Sequence, residues 1–246
     1  MRAAYPAASG DSVRWLLRGM MPTFGRLVRV EGAERLKEVP EPAIFALNHS
    51  NSFESVLAPA TLMALRDGRP VHFLTDWMYL HVPVLGWVVR RSEPIPVYRK
   101  PARWRLGEAY RLERLRQEPI LDACLGRLAA GGSLGIFPEG TRNPDPGKLL
   151  RGRNGLGELV LRSAAPVIPI GIHYPAGERL GRAPRLGRLI LRIGEPLPFR
   201  EEREAAACDD RDRRLLVRRV VSRVMAALEE LSGKAHESHK LKRRAA

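Results

Sequence analysis

Two cysteines, Cys124 and Cys208, are all that this chain of 246 residues contains. That excludes a disulfide framework, and no metal-ligand spacing surrounds either thiol, so a reducing cytosol is the expected compartment. Aromatic residues are also few, at 6%, and no recognised nucleic-acid-binding motif occurs. Internal repeats and low-complexity blocks are missing. No signal peptide is expected, because MRAAYPAASGDS has no long apolar core after its first arginine. The longest apolar stretch, Val71 to Val89, has the length of a membrane span, yet it holds His72, Asp76, His81 and Pro83. A central aspartate costs roughly 2.5–3.5 kcal/mol on insertion scales, so a core or interfacial segment is expected there.

Negative charge is the other scarcity. Lys and Arg number 42 against 27 Asp and Glu, a formal net charge of +15. Such a surplus suits an anionic partner (nucleic acid, lipid headgroups or a phosphorylated substrate), or is simply a solvated basic surface. The basic residues lie toward both termini instead of in one patch interleaved with aromatics, which favours an anionic bilayer over nucleic acid. Hydrophobic residues make up 44%, which suits a folded chain, and the length fits one large α/β domain with a sizeable core.

Residues 12–29 read as a basic amphipathic helix. At 100° per residue, Val13, Leu16, Leu17, Met20, Phe24 and Leu27 share one face, with Arg14, Arg18 and Arg29 opposite and Pro22 set to kink it. It is either a first helix covering the core or a membrane-surface helix. Strands are expected at RLVRVEG, 43–49, 71–75, 95–98, 133–137, 167–173 and 189–193. Helices are expected at 53–66, 83–91, 156–163 and 209–231, with two more in 102–130 broken near Pro119. In the last helix, Leu216, Val220, Val221, Val224 and Leu228 should face inward. The resulting division is a membrane-associating segment at 1–26, one α/β domain at 27–232 and a disordered basic tail at 233–246. Alternating strands and helices imply a mostly parallel central sheet with helices on both faces. Ligands of such sheets sit beyond the strand ends. His49, Arg99 and Pro138–Arg142 all fall just past expected strands, so one mouth of the sheet could collect them.

His49 is a candidate general base, since an imidazole titrates near neutrality. Glu54 stands on the first turn of the next helix, close enough to orient the ring and stabilise the imidazolium. Asp76 is an alternative partner. The loop in IFPEGTR, residues 136–142, can offer backbone N–H groups and a guanidinium to a phosphate, and Lys148, Arg151 and Arg153 follow. A rival reading lies in GGSLG, residues 131–135, which fits the G-x-S-x-G elbow of serine hydrolases. That elbow needs a strand before the serine and a helix after it. Here the order is reversed, so Ser133 is expected to begin a strand.

Four blocks in order carry a family resemblance: NHSNSFE, GWVVRRSEPIPVYR, FPEGTR and VIPIGI, with LRIGEPLPF following. Over roughly residues 28–200 the chain resembles the glycerolipid acyltransferases of the 1-acylglycerol-3-phosphate acyltransferase superfamily. The resemblance implies their α/β fold and O-acyl transfer from acyl-CoA or acyl-ACP to a lysophospholipid, by default 1-acylglycerol-3-phosphate, in phospholipid biosynthesis. An alternative acceptor is another membrane lipid, such as a lyso-amino-acid lipid. His49 and Glu54 would be the catalytic pair. Arg99, Glu139, Gly140, Thr141, Arg142 and Arg153 would bind the acceptor's phosphate or nearby polar groups, and Pro169 would shape the acyl site. No metal or bound cofactor is implied. The expected setting is the cytoplasmic face of the cell membrane, held peripherally or monotopically on an anionic surface. The departure is Glu54, where the family has Asp. It keeps the carboxylate but lengthens its arm by about 1.5 Å, one carbon–carbon bond.

Overall fold

In the segment AIFALNH, alternate residues go to opposite sides of one sheet. Ile44 and Ala46 pack on one face and Phe45 and Leu47 on the other, all four fully buried. Period-two alternation with no polar side is what a strand covered on both faces requires. The computed structural model describes residues 18–236 apart from 20–21, 23–24, 52, 83–84, 100, 102–104, 118, 144, 146, 176–187 and 209–211. Most of the basic helix expected at 12–29, and residues 237–246 of the expected tail, lie outside the described residues. From Gly25 onward that expectation is corrected: Gly25–Leu27 form a 3-10 turn, and the first strand follows directly.

The elements run β1 (Val28–Glu31), β2 (Ile44–Leu47), α1 (Glu54–Leu65), β3 (Val71–Asp76), α2 (Leu85–Arg91), β4 (Ile95–Val97), α3 (Arg105–Gln117), α4 (Ile120–Ala129), β5 (Ser133–Ile136), β6 (Lys148–Leu149), α5 (Asn154–Arg162), β7 (Val167–His173), β8 (Leu189–Ile193), α6 (Arg200–Cys208), α7 (Arg213–Ser232) and β9 (Ala235–His236). Seven strands form one sheet in the order β1-β8-β7-β2-β5-β3-β4. β7, β2, β5, β3 and β4 run parallel, with Ile44 opposite both Leu134 and Val167, Val71 opposite Ser133, and Leu74 opposite Ile95. β8 turns antiparallel to β7 and carries β1 with it in parallel.

One face of the sheet is covered by α4, α5 and α7, through Leu128, Leu156, Val160, Val220, Val224 and Leu228. The other is covered by α1, through Leu57, Ala58, Leu62 and Met63, and by Leu36 of the 3-10 turn Ala33–Lys37. The five residues expected to face inward on the last helix, α7, are all buried. The apolar stretch Val71–Val89 breaks into β3, a 3-10 turn at Trp77–His81 and α2. Asp76 makes the break, its Oδ1 accepting the Met78 N–H at 3.2 Å. Among the described residues, no helix is long and apolar enough to cross a membrane.

Because five strands run the same way, the loops leaving β2, β5, β3 and β4 emerge at one edge of the sheet. Ser133 stands at the opposite edge, at the start of β5. It is buried, and its Oγ accepts the Ala43 N–H at 3.1 Å and Arg66 Nη2 at 3.2 Å. That hydroxyl is a fixed structural acceptor, as the reversed order around GGSLG implied.

Candidate active site

The chain leaves β2 through a side-chain substitute for a sheet bond. Asn48 is fully buried. Its Nδ2 donates to Ile172 O at 3.0 Å and its Oδ1 accepts the Ile172 N–H at 2.6 Å. The amide thus continues the β2–β7 ladder while the backbone turns out of the sheet. Glu54, in the first turn of α1, lies beneath His49.

Glu54 is fully buried, and its Oε2 holds two donors: the Ser50 N–H at 2.6 Å and His49 Nδ1 at 2.9 Å. The positive end of α1 favours the anion at this position. A carboxylate on Nδ1 fixes the tautomer with its proton there, which leaves the lone pair on Nε2. Ser55 Oγ lies 3.5 Å from Nε2. Phe137 stacks on the imidazole, with centroids 4.4 Å apart and planes at 27°. Phe137 in turn leans on Phe73 at 5.8 Å. Gly135 makes room for that support, because a Cβ there would come within 2.4 Å of the Phe73 ring.

The FPEGTR loop is tied to the same ring's backbone. Glu139 Oε1 accepts the His49 N–H at 2.9 Å, Glu139 Oε2 accepts the Leu150 N–H at 2.8 Å, and Asn143 N–H donates to His49 O at 2.8 Å. Burial holds the Glu139 carboxyl above its usual range, an effect that these two N–H groups together with Lys234 offset only in part. The expectation that Glu139 binds substrate is therefore corrected. It is 1% exposed, with both oxygens spent on backbone N–H groups, and it braces one loop against the other.

Gly140 comes next, at φ +66°, the left-handed region open to glycine. A Cβ built there would lie 3.1 Å from Arg153 Cγ and 3.8 Å from Arg99 Nη1. Two expected guanidinium carriers thus reach this glycine from separate elements. Arg99 lies just beyond β4. Arg153 stands at the mouth of α5, held by its N–H to Pro138 O at 2.8 Å. Gly140, Thr141 and Arg142 are exposed on the same loop. The sheet therefore gathers Arg99, Gly140 and Arg153 at one place and ties the loop that carries Thr141 and Arg142 to His49. Pro169 lies inside β7 opposite Ala46, and a Cβ on Gly194 would meet its Cγ at 2.9 Å. The arrangement offers a base whose Nε2 carries the lone pair, and beside it an exposed cationic loop suited to an anionic headgroup.

Sequence reasoning missed Asn48, Asn143 and Lys234. Asn48 was signalled only by a polar residue ending an apolar run. Asn143 builds a turn, with Oδ1 accepting the Asp145 N–H at 2.9 Å and Nδ2 donating to Lys148 O at 2.8 Å. Lys234 falls in the expected tail, and that boundary is corrected. Gly233 closes α7, Lys234 is buried, and β9 pairs with β6, Ala235 opposite Lys148.

The chain is 28% identical over 143 residues to a chloroplastic 1-acyl-sn-glycerol-3-phosphate acyltransferase of Arabidopsis thaliana, covering 58% of this chain and 35% of that one. A 1-acyl-sn-glycerol-3-phosphate acyltransferase of Chlamydomonas reinhardtii is 25% identical over 176 residues, covering 70% of this chain and 47% of that one. The chain thus spans less than half the length of these curated relatives. The fold matches the crystal structure of the 1-acyl-sn-glycerophosphate acyltransferase PlsC from Thermotoga maritima, with a TM-score of 0.53 and 21% identity over 88% of this chain and 80% of that one. The model of the acyltransferase family matches residues 27–173, which include the paired His49 and Glu54 and the FPEGTR loop, and by that match over more than half its length the chain belongs to the acyltransferase family.

Proposed function

We propose that this protein transfers a fatty acyl chain from a thioester, acyl-CoA or acyl-ACP, to the free hydroxyl of a lysophospholipid, by default 1-acylglycerol-3-phosphate. The observation that carries the reading is the buried Glu54 on His49 Nδ1 at 2.9 Å, which prepares Nε2 to take a proton. In the reaction, Nε2 removes the acceptor's hydroxyl proton as its oxygen attacks the thioester carbonyl. The tetrahedral intermediate then expels the thiolate, which receives that proton from the imidazolium. Arg99, Arg142 and Arg153 hold the acceptor's phosphate, with the Gly140 loop as its floor. The direct test follows thiol release from acyl-CoA and from acyl-ACP, with and without lysophosphatidate. Acceptor-dependent release supports the reading, and its lack with both donors would sink it. A lyso-amino-acid lipid in the same panel tests the alternative acceptor. Arg142→Ala should raise the acceptor KM and lower kcat/KM about 10- to 100-fold, the equivalent of ~1.5–3 kcal/mol for a charged hydrogen bond, with the donor KM nearly unchanged. A raised donor KM beside an unchanged acceptor KM would reverse the assignment.

The same reading puts the protein on a membrane, at the cytoplasmic face of the cell membrane. The net charge of +15 supports it. So does a patch in which Tyr79, Val82 and Trp87 are exposed and the Arg91 guanidinium lies 3.5 Å above the Trp87 ring. Aromatic and cationic groups together suit the headgroup level of a bilayer. Flotation with anionic liposomes should weaken on adding salt, on deleting residues 1–26 and on Trp87→Ala. Binding that ignores all three changes would dismiss the membrane role.

A further inference from the structure

Gly233, at φ +68°, ends α7, and its N–H returns to Glu229 O at 3.0 Å. The chain then turns inward. Lys234 is 5% exposed, and Ala235 anchors the following strand by donating its N–H to Gly147 O at 3.1 Å. The lysine reaches the site from behind. Its Nζ donates to Ser50 Oγ. The Ser50 N–H donates to Glu54 Oε2 at 2.6 Å, and that oxygen also holds His49 Nδ1 at 2.9 Å. A short chain of polar groups thus joins a buried ammonium to the base.

The charges around it explain why a cation belongs there. Glu54 Oε1 is buried and has no hydrogen-bond partner among the described residues. Glu139 is buried as well, and its side chain also bonds His49. Burial holds the Lys234 ammonium below its usual range, an effect that Glu54, Glu139 and Asp145 offset only in part. The other titratable neighbours are accounted for. Lys148 on β6 is paired with Asp145, and His173 at the end of β7 is bonded through Nδ1 to Ser232 O at 2.9 Å. Two carboxylates in a low-dielectric interior favour taking up protons unless a cation offsets them. An anion on His49 Nδ1 is what the proposed reaction needs.

We propose that Lys234 is a positioning residue of this active site. Its ammonium, bonded to Ser50 beside the Glu54 and Glu139 carboxylates, holds the His49–Glu54 couple in the state that accepts the acceptor's proton. This rests on reading His49 as the general base. Removing the cation makes the couple keep its proton to higher pH.

The test is the pH profile of kcat/KM for the full chain. Lys234→Met should move the acid limb upward by about one to two pH units, with activity recovering toward wild type at alkaline pH and both KM values little changed. Lys234→Arg keeps the charge and should hold the limb near its wild-type position, even where altered packing lowers kcat. A uniform loss at every pH, with the limb unmoved, would mean that Lys234 only packs. Should Lys234→Met fail to fold, the wild-type protein still decides. The ¹⁵N resonance of Lys234 Nζ should shift over the pH range in which the His49 ring resonances change, and that shift should move in Glu54→Gln. A signal flat across that range overturns the proposal. The NMR titration needs no turnover, so it separates failure of this inference from a wild-type protein that transfers no acyl group.

Discussion

His49→Ala should lower kcat by about 10²–10⁴, the range for loss of a positioned general base. The fold should survive, for a local reason. Both backbone bonds at this position, His49 N–H to Glu139 Oε1 and Asn143 N–H to His49 O, remain in alanine. The side chain itself gives up mainly its stacking on Phe137 and its bond to Glu54. Circular dichroism and the denaturation midpoint should therefore stay close to wild type while turnover collapses. The loss should fall on kcat more than on either KM, because the proton is transferred only as the transition state forms. A His49→Ala protein that keeps full activity would remove the base from the mechanism and leave the arginine-lined loop as a binding site only.

The legible parts of this molecule are those whose signal is local. Strands at 71–76 and 167–173 and the inward face of α7 follow from apolar period, because both faces of the sheet and one stripe of the helix are buried. His49 and Glu54 are five residues apart, so one loop can join them, and the resemblance of NHSNSFE to a family block singles the pair out. Glu139 misled because a carboxylate in a glycine-containing loop looks the same whether it faces a ligand or two backbone N–H groups; only its burial tells them apart. The helix α6, REEREAAAC, was not expected, since its charges hide the few residues that touch the core. The antiparallel turn of β8 is equally silent, because an apolar run carries no direction. Lys234 lies 184 positions from Ser50. No short-range pattern links a lysine in GKAH to a serine in NHSNSFE; the fold creates that contact.

Glu54 carries the second large effect. Glu54→Gln keeps the size and one oxygen, so the bonds from the Ser50 N–H and His49 Nδ1 can both persist. What disappears is the anion that stabilises the imidazolium, and kcat should fall by up to about 10⁴ if the couple behaves like the His–Asp pair of a serine-protease triad. The amide also places an N–H₂ group where Oε1 now lies buried without a partner among the described residues. Glu54→Asp tests the family departure, and the structure decides its direction. A shorter acid withdraws the carboxylate by about 1.5 Å, from bonds now at 2.6 and 2.9 Å. The loop is not free to follow. Asn48 is clamped to Ile172, and the His49 backbone is held by Glu139 on one side and Asn143 on the other. Aspartate should therefore fall short of the ring and lower kcat by up to about 10²-fold, the scale of a 1 Å misplacement. That order, wild type above Asp and Asp above Gln, distinguishes an orienting anion from a charged first-turn residue. An acid serving only the helix dipole would be replaced by Asp without loss. Full activity in Glu54→Gln would show that the carboxylate beneath His49 plays no part in proton transfer.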